Sequence, residues 1–194
     1  LEFPHVIFFF FLAGAFVVMG VSAFSLLRKP HYEVNFFKKS VQVSAVVALV
    51  GVVGLAYTGD SHSLALQEDQ PMKFAATEGI DKNVGGDDEQ APWSVISYTD
   101  PKTNEVKWSL DVPYMLSILA HHSLTGGSQG WHELNKELHE KYDVKFGHDM
   151  NYYLPNNTLY YSFRIMAVSA GVFGLLAVVA LWFTRKKSKI DITK

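Results

Sequence analysis

The sequence predicts an all-α membrane protein with three transmembrane helices and a large, partly helical extracytoplasmic loop between the second and third. Three observations predict it. Apolar residues, 48% of the 194, gather in uncharged runs at Val6–Leu27, Val41–Thr58 and Ile165–Phe183. A helix rises about 1.5 Å per residue, so about 20 residues cross the hydrocarbon of a bilayer. Bases gather in the short connector Arg28–Lys39, with four against the single acid Glu33, and in the tail Arg185–Lys194, with five against Asp191. Residues 59–157 instead hold 16 acids and 7 bases, a net of 7 − 16 = −9.

The elements follow in order as a transmembrane helix over 1–27, a cytoplasmic connector over 28–40, a second transmembrane helix over 41–58, an outer loop over 59–157, a third over 158–184 and a cytoplasmic tail over 185–194. The orientation comes from Lys and Arg, which favour the cytoplasmic side. The acidic count of the loop adds little to it. The first run has no basic leader and no small-residue cleavage site, and it exceeds the apolar core of a signal peptide. Leu1 is not a natural start, so the chain is expected to be a fragment of a larger helical bundle. No Cys is present, which excludes disulfides and thiolate metal sites.

A loop of this length needs structure or function of its own. Residues 70–79 read as a short helix, capped by Asp69 or Gln70, with Pro71 at its first position and Gly79 at its stop. Residues 81–90 are acidic and glycine-rich and are expected to be mobile. A hairpin is expected around 95–108, turning at Asp100-Pro101 or Thr103-Asn104. Residues 113–122 and 131–142 read as amphipathic helices. No internal repeat and no nucleic-acid signature is found.

The histidines of the loop carry little. His121 and His122 are adjacent and point about 100° apart on a helix. His132 and His139 have a workable spacing, but His132-Glu133 lacks the second His of a zincin. These four read as solvated or locally hydrogen-bonded side chains. Asn156-Asn157-Thr158 matches a glycosylation sequon, without meaning in a bacterial host.

Ionisable residues at the embedded ends of spans need a reason, because such positions are costly. Arg164 either snorkels to the outer headgroups or serves a site. His5 is either an interfacial histidine or a ligand, and Met166 is either filler or a ligand. His5 lies about 33 Å above Leu27 and Met166 about 26 Å above Phe183 at helical rise, so both fall toward the outer side. An imidazole and a thioether facing each other can hold a haem iron from both sides, an arrangement suited to electron transfer. Arg164 could pair with a haem propionate.

Phe3-Pro4-His5, Ala13-Gly14 and Gly20-Val21-Ser22-Ala23 in the first span, Gly59-Asp60 and Gln70-Pro71-Met72-Lys73-Phe74-Ala75-Ala76-Thr77-Glu78 in the loop, then Val112-Pro113-Tyr114 and Phe163-Arg164-Ile165-Met166, occur in a specific order. With these blocks the chain resembles subunit I of the cytochrome bd quinol oxidases, bacterial enzymes of the respiratory chain that oxidise quinol and reduce oxygen to water. The resemblance implies that His5 and Met166 are the axial ligands of the low-spin haem b, with Arg164 near that haem. It implies that Lys73 and Glu78 serve quinol oxidation in the external quinol-binding loop, here of the short type. It further implies a second haem b and haem d, with ligands on helices outside this chain. The implied partners are quinol, the remainder of subunit I, subunit II and membrane lipid. Without the family, Lys73 and Glu78 are surface charges about 140° apart on a helix. Two other readings stand beside this one. The first is a membrane-anchored extracytoplasmic binding or sensory domain without redox activity. The second is another quinol-linked cytochrome b, which would normally carry paired His ligands.

Overall fold

The computed structural model describes residues 2–28, 33–146 and 150–185. The expected tail, beyond Arg185, and the middle of the expected connector lie outside the described residues. The elements run α1 (Glu2–Leu27), α2 (Val34–Asp69), α3 (Pro71–Glu78), β1 (Trp93–Thr99), β2 (Val106–Val112), α4 (Met115–His121), α5 (Trp131–Phe146) and α6 (Asn156–Thr184). Among the described residues three helices, α1, α2 and α6, are long and apolar enough to cross a membrane. The chain divides into two compact units, residues 1–59 with 166–194, and residues 60–165.

In the first unit the buried positions of α2 are Val41, Ser44, Ala45, Ala48, Gly51, Gly54 and Thr58, small residues three or four apart on one face. That stripe lets α1 approach closely, the usual solution where apolar burial cannot drive helices together in lipid. A Cβ on Gly54 would stand 2.3 Å from the Phe8 ring, and one on Gly51 would stand 3.2 Å from the Phe8 carbonyl oxygen. The rings of Phe16 and Phe173 lie 4.7 Å apart, and the Gln42 side-chain amide donates to the Thr184 carbonyl.

The second helix runs well past the apolar run expected at 41–58. Hydropathy marks where a membrane would lie, whereas a helix continues until something breaks it. Here the break is Pro71, which forces Gln70 out of helical geometry (φ −139°, ψ 61°) and then opens α3. Neither Asp69 nor Gln70 caps α3 through its side chain, contrary to the sequence reading. The Gln70 carbonyl instead accepts from the backbone N–H of Lys73 and Phe74.

The second unit has its own core, in which Met72, Phe74, Ala75, Ile80, Leu116 and the fully buried Trp131 pack together. The hairpin falls where expected, with Ile96 opposite Leu110 and Tyr98 opposite Trp108, and with Asn104 at positive φ in its turn. The Trp131 indole donates to the Asn104 carbonyl at 2.8 Å, which ties that turn to α5. The alternation of β1 is inverted, because Ser94, Ser97 and Thr99 are buried while Ile96 and Tyr98 are exposed. The buried face is polar because it meets hydrogen-bonding groups at the start of α6. The Asn157 amide exchanges two bonds with the Thr99 backbone, mimicking a neighbouring strand, and Tyr161 donates to the Ser97 carbonyl at 2.7 Å. The acidic stretch expected to be mobile is laced into the unit, with Val84 bridged to Ser128 and Gly126 N–H donating to the Gly86 and Glu89 carbonyls.

Gly130 passes against the backbone of Lys82, where an added Cβ would stand 2.4 Å from the carbonyl carbon. Backbone cannot turn aside as a side chain can. Gly130→Ala is therefore expected to destabilise the chain by about 2 kcal/mol in thermal or denaturant unfolding in detergent. Gly171→Ala, whose Cβ would meet nothing within 4 Å, is expected to be neutral.

Candidate functional site

The residues singled out in the sequence are divided between the two units. His5 lies in the first unit, part-buried on α1. Its Nδ1 is 2.9 Å from Thr58 Oγ1, and that hydroxyl donates to the Gly54 carbonyl at 2.7 Å. A hydroxyl has one hydrogen. Where it goes to Gly54, His5 Nδ1 donates to Thr58 and Nε2 is the acceptor nitrogen, the tautomer that a metal needs. Thr58, which sequence reasoning treated only as the end of an apolar run, is thus the hydrogen-bond partner of His5. Met166, on α6, is 53% exposed. An imidazole and a thioether are donor types that a haem iron accepts.

The candidate site of the second unit, residues 60–165, lies where α3 ends. Gly79, in the left-handed conformation at φ 78°, takes the chain away just after Glu78, and its N–H caps the Ala75 carbonyl. The absence of a side chain there also admits the Tyr160 ring, which an added Cβ would approach to 2.9 Å. Glu78 is thereby turned inward with a side chain 6% exposed, against an Arg164 side chain 10% exposed, and Nη2 reaches Glu78 Oε2 at 3.0 Å. The guanidinium also donates from Nε and Nη2 to the Ser94 carbonyl and from Nη1 to the Thr77 carbonyl. Its carbon sits 4.6 Å from the Trp93 ring centre and 4.5 Å from that of Tyr160, so the cation is clasped between two aromatic faces. Arg164 therefore does not snorkel to headgroups. Its charge is consumed by a carboxylate, two carbonyls and two rings.

Trp93 completes the arrangement, because its indole N–H donates to the same Glu78 Oε2 at 2.9 Å. Oε1 accepts nothing from the described residues. Trp93, Ser94 and Tyr160 were not singled out in the sequence. Only the hairpin expected just beyond Trp93 hinted at them.

Lys73 is not brought to Glu78. It stands on the exposed side of α3, at the rim of an open groove of about 580 Å³ whose apolar lining includes Met72, Leu134, Leu138 and Leu154. This agrees with the helical spacing, which denied the two residues a common face. Three of the four loop histidines are locally engaged as expected: His132 with the Tyr153 hydroxyl at 2.8 Å, His139 with Asp143 at 2.9 Å and His122 with Asp60 at 3.1 Å. His121 departs from the expectation, because its Nε2 is buried with no hydrogen-bond partner among the described residues. Burial pushes the Tyr153 phenol above its usual range, which keeps it protonated within that bond.

Removing one partner of a buried ion pair leaves an uncompensated charge. Arg164→Ala is expected to cost about 3–5 kcal/mol in denaturant unfolding of the chain in detergent. A loss below about 1 kcal/mol, the range of an exposed pair, would show that Glu78 finds water or another donor.

Comparison with known proteins agrees with this architecture. Cytochrome bd ubiquinol oxidase subunit 1 of Bacillus subtilis is 39% identical over 194 residues, which is all of this chain and 39% of that protein. Cytochrome bd-II ubiquinol oxidase subunit 1 of Escherichia coli is 29% identical over 140 residues, 72% of this chain and 26% of that protein. The bd oxidase structure from Geobacillus thermodenitrificans shares the fold, with a TM-score of 0.58 at 23% identity, covering 93% of this chain and 44% of that one. The chain spans about two-fifths of the length of the first of these relatives. The profile of cytochrome bd terminal oxidase subunit I matches residues 1–193, and the chain belongs to that family.

Proposed function

We propose that this chain is the quinol-oxidising, low-spin haem b-binding portion of a bacterial cytochrome bd terminal oxidase. The observation that carries the reading is the buried Glu78 carboxylate, anchored twice through Oε2, with Oε1 free of any donor among the described residues. Oxidising a quinol removes two electrons and two protons, and a positioned carboxylate can take one of the protons. In this reading one quinol O–H bond breaks and a Glu78 Oε1–H bond forms, while the second proton leaves separately. Arg164 holds the carboxylate in place through a charge-assisted bond. Lys73, on the other side of α3, acts through space as a positive charge that favours a deprotonating quinol oxygen.

His5 and Met166 would hold haem b, which would supply the acceptor for the electrons. The Thr58 hydroxyl restrains the His5 imidazole through Nδ1. Arg164 keeps in this reading the role near the haem that the family resemblance implies. The oxygen-reducing site, with the second haem b and haem d, belongs in this reading to helices outside the chain. The remainder of subunit I, subunit II and lipid complete the assembly. The loop lies on the outer face of the bacterial cell membrane, as the basic connector and tail favour, so protons from quinol leave outside. The family match favours this reading over a membrane-anchored sensory domain.

Two experiments on the parent oxidase test it. Glu78→Gln is expected to slow quinol oxidation by about 100-fold or more while leaving the haem spectrum intact; unchanged turnover would remove the carboxylate from the mechanism. His5→Ala and Met166→Leu are each expected to abolish the low-spin haem band in a reduced-minus-oxidised spectrum. A band that persists in either variant withdraws the ligand pair.

A further inference from the structure

Trp93 packs against the core of the second unit and also carries a polar contact. It opens β1, its backbone is paired with Val112, and the next carbonyl, that of Ser94, is gripped by Arg164 and by the Tyr160 hydroxyl at 2.9 Å. The indole is thus held from its own backbone outward. Its ring supports one face of the Arg164 guanidinium while its N–H points at Glu78 Oε2.

Both groups that meet Oε2 are donors only. An indole N–H and a guanidinium cannot turn round to accept a hydrogen bond, unlike a hydroxyl, an amide or a water. Oε2 is therefore occupied by two hydrogens in either charge state of the carboxyl, and a proton arriving at Glu78 has only Oε1 to bind. With one donor removed, the carboxyl could pivot about its remaining bond and offer either oxygen.

We propose that Trp93 is a positioning residue for quinol oxidation, whose indole N–H locks the Glu78 carboxylate so that Oε1 alone receives the quinol proton. The inference rests on the proposed role of Glu78 and deepens it. The hairpin then acts as the bracket that sets the aim of the proton acceptor, with Ser94 and Tyr160 holding the bracket to α6.

The test uses the parent oxidase with Trp93→Phe, which keeps a ring under Arg164 and deletes the N–H, and Trp93→His, which keeps a ring N–H. Three readouts are taken: steady-state quinol oxidation, the haem spectrum, and the infrared band of the Glu78 carboxyl, identified by its loss in Glu78→Gln. Trp93→Phe is expected to lower kcat by about tenfold at unchanged KM, to shift the Glu78 band and to retain haem. Trp93→His is expected to recover most of that loss. Wild-type kcat and an unmoved band in Trp93→Phe would overturn the proposal, as would Trp93→His being no better than Trp93→Phe. If Trp93→Phe fails to assemble, Trp93→His decides: near-wild-type turnover supports the lock, and a loss of about tenfold refutes it. Loss of haem in both variants assigns Trp93 to folding and overturns the proposal too. If Glu78→Gln itself turns over normally, the functional reading falls. If only Glu78→Gln is impaired, the reading stands and the lock alone falls.

Discussion

A buried carboxylate and a buried guanidinium, Glu78 and Arg164, meet at 3.0 Å, and much of the second unit is arranged to make that meeting tolerable. Charges this far from water are costly unless every polar atom around them is answered. The answers come from backbone. The Thr77 and Ser94 carbonyls take three more of the guanidinium N–H groups, so the end of α3 and the start of β1 are both fixed with respect to the first turns of α6. One side chain on α6 therefore organises three elements distant in sequence.

The same economy recurs at His5. There, as at Glu78, one atom of a candidate site side chain is tied down by a hydrogen bond. Thr58 ties His5 Nδ1, while Trp93 and Arg164 tie Glu78 Oε2. The inverted β1 strand belongs to this pattern. A polar buried face would be an error in an ordinary sheet, but here its serines and its threonine carry the carbonyls that Arg164, Tyr160, Tyr161 and Asn157 need. Its small side chains also let those larger groups come close, and Gly79 does the same for Tyr160 on the other side.

Much of this was legible in the sequence, and the reasons differ by element. The three long apolar helices follow from run length, and the short helix at 71–78 follows from its flanking Pro71 and Gly79, two local signals with fixed backbone meaning. The hairpin was readable from its turn residues. The actual end of α2 was not, because nothing in hydropathy distinguishes a helix leaving an apolar run from a loop doing so. The inward aim of Glu78 was half legible, since a spacing of five denies it the face of Lys73 but does not say which face is buried. The partnership of Glu78 with Arg164, 86 residues away, was not legible at all. It depends on long-range packing that no local pattern encodes. Trp93 and Thr58 were missed for the same reason. Each looks like an ordinary strand or span residue until the group it holds is placed beside it.

The central claim is that Glu78 and Arg164 act as one unit. A double-mutant cycle with Glu78→Gln, Arg164→Gln and the double variant, read by denaturant unfolding of the chain in detergent, measures that directly. The account predicts a coupling of about 1.5–3 kcal/mol, with the double variant less damaged than the sum of the singles. Additive losses, with coupling within about 0.5 kcal/mol of zero, would contradict it.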